Sequence, residues 1–546
     1  MKKLLAFLLL VAMLVSLSAC GKPKKSSHRH DDDDDDDDEI SYYDESDSAV
    51  GEGTQESPLI ISTADELFQF AEDYNAYKLP SEVHVKLGAD IVVNDIADVY
   101  MELTADDLDG YRMWIPVQTF YGTFDGDGHT VSGIVCCMET EQENHITHPS
   151  AFFGFVYGTV KNLTVKDSFF TSNTDNYTAG ICGGLRGTLE NCHNYARVQG
   201  CSSSGGVASS NLGGLIKDCT NHADISNIAD GNSKGLGGIC GSHGSDYEKE
   251  TPARIVGCVN YGAINGVHVT GGIAGYSRGF VENCVNKGDI TSDYRAGGIV
   301  GDSDSNGKNV IGNIVGCINY GNVEADRDAG GIAGASSVAP ELGHQYGILN
   351  SVNYGDIKSN YEAGGIATYI GGGIASGVAN FGNVTVYTEE FHGGVAGGIC
   401  AWDREESVFV NCFNAGDVTT SKEASGLCNS IRGQWMNCYS GGMITSQTKG
   451  AFGIAANVYV DTAKITNCFF IGEVTGDDSS NPMIKDLYDM DYGDRGFVCG
   501  TNAWNRDLAL DASWYLGFDF ESVWVMGDSA GYLYPTLRNL PKDFTK

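Results

Sequence analysis

Ile314-Val-Gly-Cys317-Ile-Asn319-Tyr-Gly321-Asn-Val323, followed by Ala329-Gly-Gly-Ile-Ala-Gly334, is the phrase that decides the fold. Its Cys-x-Asn-x-Gly core returns at Cys258, Cys284, Cys317 and Cys412. Looser copies stand at Cys192, Cys219, Ser351, Val378, Cys438 and Cys468, and neighbouring anchors lie 26 to 39 residues apart. A Gly-Gly-Ile-x-Gly phrase falls between most of them, as at Gly271, Gly297 and Gly330. A period of this length marks a repeat architecture, and a unit this short has no core of its own, so each must stack on its neighbours. Three short apolar runs per unit, bounded by Gly or Asn, predict strands; helical spacing is absent and the glycine density opposes helices. The expected fold is all-β: a right-handed parallel β-helix of ten or more coils. A β-propeller is the alternative, but its blades are longer and carry hairpins.

The 73 glycines among 546 residues fit a tightly turned solenoid, and 10 prolines exclude a collagen-like chain. Formal net charge is −38, and residues 31–56 carry fourteen acids and no base. Such a surface repels nucleic acid and anionic lipid, which argues against both as passive partners. Of the 17 cysteines, most recur at equivalent positions of successive units. One column holds Cys192, Cys219, Cys258, Cys284 and Cys317; another, after the Ile of the Gly-Gly phrase, holds Cys182, Cys240, Cys400 and Cys428. Cysteine there reads as a small buried hydrophobe, because parallel Cβ vectors on adjacent coils suit a disulfide poorly.

Met1 to Cys20 has two lysines, an apolar run from Leu4 to Val15 and then Leu17-Ser-Ala-Cys20. A basic start, a short apolar core and small residues mark a secretory signal. The last four residues resemble the bacterial lipobox. That resemblance implies cleavage before Cys20, acylation of Cys20 and an extracytoplasmic protein tethered to the cell membrane by lipid, palmitate being one such acyl group. Residues 21–57 are a low-complexity acidic linker with eight consecutive aspartates, Asp31 to Asp38, expected to stay extended and unfolded. An N-terminal cap and first coils are expected over 58–135, the repeats over 136–476 and a C-terminal coil and cap over 477–546.

Within the cap, Leu67, Phe70, Ala71 and Tyr74 form one helical face, with Ser62 or Thr63 as N-cap and acids in the first turn. Val83 to Val93 reads as an alternating strand. Trp114-Ile-Pro-Val and Phe120-Tyr-Gly-Thr-Phe-Asp-Gly-Asp-Gly-His-Thr-Val-Ser-Gly-Ile134 follow, then Phe152-Phe-Gly-Phe-Val-Tyr-Gly-Thr-Val-Lys-Asn-Leu. This stretch resembles the opening of bacterial surface proteins carrying the GLUG motif. Gly517-Phe-Asp-Phe-Glu-Ser-Val-Trp524 and Gly531-Tyr-Leu-Tyr-Pro-Thr-Leu537 resemble their closing segment. The resemblance implies a β-helix on a secreted or surface protein and no chemistry. Related repeats also flank the zinc peptidase domains of immunoglobulin-cleaving enzymes, but this chain lacks the His-Glu-x-x-His string that activity needs.

Four kinds of candidate site remain. Tyr261, Tyr320, Tyr354 and Phe381, with Tyr195, occupy one outward slot and are expected to stack as a column suited to sugar rings or a protein partner. A purely structural stack is the alternative, and His222, Lys287 and Ala415 in the same slot shorten any platform. Asp302, Asp304 and Asn306, before Gly307, match the alternating oxygens of a calcium loop; Asn313 replaces its bidentate Glu, so an acid from elsewhere must complete the shell. A polar loop is the alternative reading there, and calcium is the only cofactor suggested. Asp125-Gly-Asp127-Gly-His129 reads as a tight turn. Asn173-Thr-Asp175 and Ser242-His243-Gly244 faintly resemble motifs of polygalacturonase-like hydrolases, but a second carboxylate is missing from them. The expected function is therefore non-enzymatic adhesion at the cell surface, binding glycans or surface proteins. A polysaccharide hydrolase or lyase and a structural spacer are the alternatives: a convergent carboxylate pair in a groove would favour the first, a face without aromatics the second.

Overall fold

A computed structural model describes residues 50–138, 149–172, 177–227, 235–244, 252–304, 313–338, 346–388, 393–448, 450–459, 461–475, 498–500, 510–515, 517–527 and 532–545. The chain divides after Asp47, and all that follows concerns the second unit, Ser48–Lys546.

This unit is a parallel β-solenoid. One coil runs through Ile314–Val315, Ile318–Asn319, Val323–Ala325, Asp328–Gly330 and Ala333–Ser337 before the next begins at Gly347–Leu349. The sequence suggested three strands per coil; the structure has five, because the chain turns a corner at Gly321 and again at Gly330–Gly331, splitting each apolar run. Stacked coils build a fourteen-stranded sheet from Leu59–Ile61 to Lys464–Thr466. A twelve-stranded sheet runs from Val117–Phe120 to Asn457–Val458, and a ten-stranded sheet from Thr178–Ala179 to Gly450–Phe452. Fourteen strands at about 4.8 Å spacing make a stack roughly 60 Å tall.

The corner before each cysteine anchor needs a left-handed backbone. Asn191, Asp218, Gly257, Asn283, Gly316, Asn350, Gly377, Asn411, Asn437 and Asn467 all have φ between 52° and 65° except Asn350 at 47°. Only Asn, Asp and Gly stand there, the residues that tolerate this conformation. The turn aims the next side chain inward, and Cys192, Cys219, Cys258, Cys284 and Cys317 are all fully buried. The second cysteine column also faces the core: Cys182, Cys240, Cys400 and Cys428 have no exposed surface. The fifteen cysteines from Cys136 to Cys468 are all free thiols.

Two residues past each anchor stands an asparagine, and these form a continuous ladder. Each side-chain amide donates to the next coil's Oδ1: Asn194 to Asn221 (2.9 Å), then Asn260, Asn286, Asn319, Asn353, Asn380 and Asn414 at 2.7 to 2.8 Å. The same Nδ2 also donates to a carbonyl two residues on, as Asn319 does to Gly321 (2.8 Å). The Gly-Gly phrase makes room for this ladder. A Cβ on Gly298 would lie 2.2 Å from the Gly331 carbonyl and 2.3 Å from Asn319 Cγ.

The predicted cap helix is present. Helix α1 (Ala64–Asn75) starts at Thr63, whose side chain accepts from Glu66 N while the Glu66 carboxylate accepts from Thr63 N, and it buries Leu67, Phe70, Ala71 and Tyr74. Phe70 packs on Phe120 and Phe124, closing the open end of the first coil. The expected single strand from Val83 is two, His84–Leu87 and Ile91–Val92, with a corner between them. At the other terminus Trp524–Met526 and Pro535–Leu537 form an antiparallel hairpin. It lies along the outer side of the asparagine strands: Phe413, Tyr439, Trp524 and Leu537 share one buried cluster, and the Tyr439 hydroxyl bonds the Pro535 carbonyl.

Candidate functional site

The outward slot next to the asparagine ladder does form a column. Tyr320 stacks on Tyr354 (5.2 Å, 10°), and Tyr354 on Phe381 (5.0 Å, 12°). The parallel register produces this geometry, since Asn319 pairs with Asn353 and Asn353 with Asn380. His222 does not interrupt the slot as the sequence suggested. The His222 ring lies between Tyr195 (4.1 Å, 7°) and Tyr261 (4.6 Å, 11°), and Lys287 Nζ sits 5.3 Å from the centre of the Tyr261 ring. A flat imidazole and an ammonium both suit the face of a phenol ring, so His222 continues the stack and Lys287 covers its end at Tyr261. Burial and the neighbouring His193 push the His222 imidazole below its ordinary value, which keeps it neutral at pH 7. Ala415 does end the column, and there the C-terminal hairpin covers it: Tyr532 meets Phe381 edge-on at 5.8 Å. Tyr195, Tyr261 and Tyr354 each remain about 40% exposed, at 38%, 39% and 40%.

The other candidates fare differently. Asp302 lies in a strand, and its carboxylate sits 2.5 Å from Arg295 Nη1. The backbone of Asp304 extends that strand, while Asn306, like Cys20, Asn173 and Asp175, lies outside the described residues. No group of three or more His, Cys, Asp or Glu able to hold a metal occurs among the described residues. His243 is 1% exposed; its Nε2 donates to the Phe280 carbonyl (3.2 Å), and burial pushes the imidazole down to about 4. Asp125 anchors a turn, accepting from Asp127 N and Asn162 Nδ2, both at 2.9 Å.

Sequence reasoning passed over a second constellation, on the seam where the ten- and twelve-stranded sheets fold face to face. Thr368 Oγ1 reaches across to the Ala329 carbonyl (3.0 Å), and a Cβ on Gly334 would lie 2.4 Å from Arg295 Cγ. Arg295, Asp328 and Glu362 are register partners on three successive coils. Arg295 holds Asp302 with one nitrogen and Asp328 with another (3.0 Å). Trp402 Nε1 donates to Glu362 Oε2 (2.7 Å). Burial, with the Asp328 charge adding to it, pushes the Glu362 carboxyl up to about 7. Just outside, Arg327 lies between Tyr294 (4.8 Å) and Tyr361 (5.8 Å) and donates to the Tyr294 hydroxyl (2.7 Å). The signal was available: Arg, Asp and Glu precede the Gly-Gly phrase where Val269 and Val395 stand in other coils.

No family model matches the chain, and no curated protein does. Among solved structures it is similar to a "putative immunoglobulin A1 protease" from Bacteroides ovatus, at 16% identity and a TM-score of 0.28, over 89% of this chain and 94% of that one. At that TM-score the likeness carries no argument about site or activity.

Proposed function

We propose that the chain is a lipid-anchored, extracytoplasmic β-helix protein that holds a glycan or protein partner on its lateral face without turning it over. The observation that carries this is the pair of half-exposed, parallel ring stacks in one slot, Tyr195–His222–Tyr261 and Tyr320–Tyr354–Phe381. Flat rings at the spacing of the coils offer apolar contact with little entropy to lose, which suits sugar rings and protein loops alike. The lipobox-like Leu17-Ser-Ala-Cys20, the acidic linker behind it and the resemblance to GLUG-motif surface proteins support a tether, a spacer and a display role. Calcium, if it takes part, would be held by Asp304 and Asn306 with Asp302 released from Arg295.

A polysaccharide-active enzyme is the second reading, favoured by the neighbouring carboxylates Asp328 and Glu362. Hydrolysis by such a pair needs one carboxylate free to act as nucleophile or base. Asp328 is held by both Nε (3.2 Å) and Nη2 (3.0 Å) of Arg295, which argues for binding instead. Probing glycan and matrix-protein arrays with the purified chain, with and without calcium, tests both readings. Binding that weakens at least tenfold in Tyr261→Ala and Tyr354→Ala, with no cleavage products, is the expected result. Turnover of any glycan would overturn the non-enzymatic reading. Separately, Cys20→Ala should move the protein from the membrane fraction to the medium.

A further inference from the structure

The seam between the ten- and twelve-stranded sheets carries features that packing alone does not require. Arg327 is exposed yet fixed between two tyrosine rings one coil apart on either side, so Tyr294, Arg327 and Tyr361 make a stacked strip along the solenoid axis. Beside the strip, Glu362 has one carboxyl oxygen on the Trp402 indole. At the same coil level the Tyr369 hydroxyl has no hydrogen-bond partner. The two guanidiniums, Arg295 and Arg327, are offset by Asp302 and Asp328, so the strip is close to charge-neutral without Glu362.

We infer that this seam binds an uncharged polysaccharide strand laid along the solenoid axis, with the outer edges of the Tyr294 and Tyr361 rings as apolar contacts and Glu362 and Arg327 as its hydrogen-bonding groups. A balanced strip favours neither a polyanion nor a polycation, and the net charge of −38 turns acidic glycans away. Aromatic carbon beside convergent donors and acceptors suits a sugar, which presents hydroxyls around an apolar ring. The inference rests on the chain being a binding module but not on the Tyr195–Tyr354 column.

It also has a pH signature. A neutral ligand covering Glu362 removes water from it, which costs the ionised carboxylate more than the acid. The groups facing Glu362 are Asp328, Arg327, Arg295 and Trp402, and with them its carboxyl stands at about 7. Binding therefore takes up a proton, and affinity falls as pH rises through that value.

The test is calorimetric titration of the full chain with cellohexaose, xylohexaose, mannohexaose and maltohexaose between pH 5.5 and 8.5, with oligogalacturonate and chitosan oligomers as charged probes. At least one neutral probe should bind, and wild-type affinity should drop severalfold towards pH 8.5. Glu362→Gln, which mimics the protonated acid, should keep the low-pH affinity throughout. Tyr361→Ala should lose at least tenfold at every pH, and Tyr121→Ala, an exposed ring outside both the seam and the column, should change nothing. Tighter binding of either charged probe, no neutral binding, or a pH slope that persists in Glu362→Gln would overturn the inference. Loss in Tyr261→Ala but not in Tyr361→Ala would place the ligand on the aromatic column instead. Melting curves of each variant separate loss of the site from loss of the fold.

Discussion

Asn319 makes three hydrogen bonds inside the solenoid, donating to Gly321 O and Asn353 Oδ1 and accepting from Asn286 Nδ2. Asn319→Ala leaves the Gly321 carbonyl, Asn353 Oδ1 and one of the two N–H bonds of Asn286 Nδ2 without their buried partner, while the other still reaches Gly288 O (2.8 Å), at about 1–3 kcal/mol for each group that finds no water. A fall in urea-unfolding free energy of about 3 kcal/mol or more is expected; a change below about 1 kcal/mol would mean that water replaces the amide. Asp403 gives a prediction in pH. Its carboxylate accepts from Arg432 N (2.5 Å), Gly433 N (3.1 Å) and Trp435 Nε1 (2.8 Å), but burial outweighs these bonds and pushes the carboxyl up to about 6. Because the folded value lies above the unfolded one, the folded state binds the proton more tightly. This group's contribution is therefore present in acid, below the unfolded value, and is lost as pH rises through about 6, amounting to roughly 3 kcal/mol at about 1.4 kcal/mol per unit. The stability advantage of wild type over Asp403→Asn should shrink by that order between pH 4 and pH 8. A constant difference would show that Asp403 does not titrate in this window.

Among the elements, the C-terminal hairpin has the clearest energetic role. Trp524 is fully buried, stacks on Phe518 at 4.5 Å and donates through Nε1 to Asn411 Oδ1 (3.3 Å). Ending the chain before residue 510 would bare Phe413 and Tyr439, both fully buried now. The truncated protein should bind a hydrophobic dye and melt several degrees lower; unchanged dye binding would mean the hairpin is dispensable. Helix α1 and the stacked strands were legible in the sequence because local pattern dictates them: a capping box, a 3.6-residue apolar face, an anchor recurring at each coil. The seam was not. It is made by Arg295 meeting Asp302 and Glu362 meeting Trp402 across two sheets, and periodicity reports which residues face outward, not which outward rows converge. The number of strands per coil differs from the sequence expectation for a related reason: apolar patterning marks the runs, but not the corners, as at Gly321 and Gly330–Gly331, that divide a coil into five strands.

At the scale of the whole molecule, register is the controlling variable. Stability in a solenoid is close to a sum over coils and their neighbour contacts, so a complete coil can be removed if each sheet stays in step. His193 and Thr220 are register partners. Deleting residues 193–219 therefore joins Cys192 to Thr220 and should leave a folded, slightly shorter protein by circular dichroism. Deleting half that length should not fold, because it sets every later strand against the wrong partner. Removing residues 318–351 also keeps register, since Ile318 pairs with Val352, but it shifts the coils beneath the hairpin. The hairpin's anchors on Asn411 and Tyr439 and the ion pair of Asp543, just beyond it, with Lys287 (3.8 Å) would no longer coincide, so this deletion should lower the melting temperature more than the first.

The asparagine ladder has one further consequence. Every amide from Asn194 to Asn414 points the same way, N–H towards the C-terminal end and C=O towards the N-terminal end. Side-chain dipoles aligned head to tail polarise one another. The solenoid thus encloses a polar thread with a partial positive pole near Ser440, where Asn414 makes its last donation, and a partial negative pole at Asn194. That gives the stack a sense of direction, and no coil turned end over end could join it without breaking the thread.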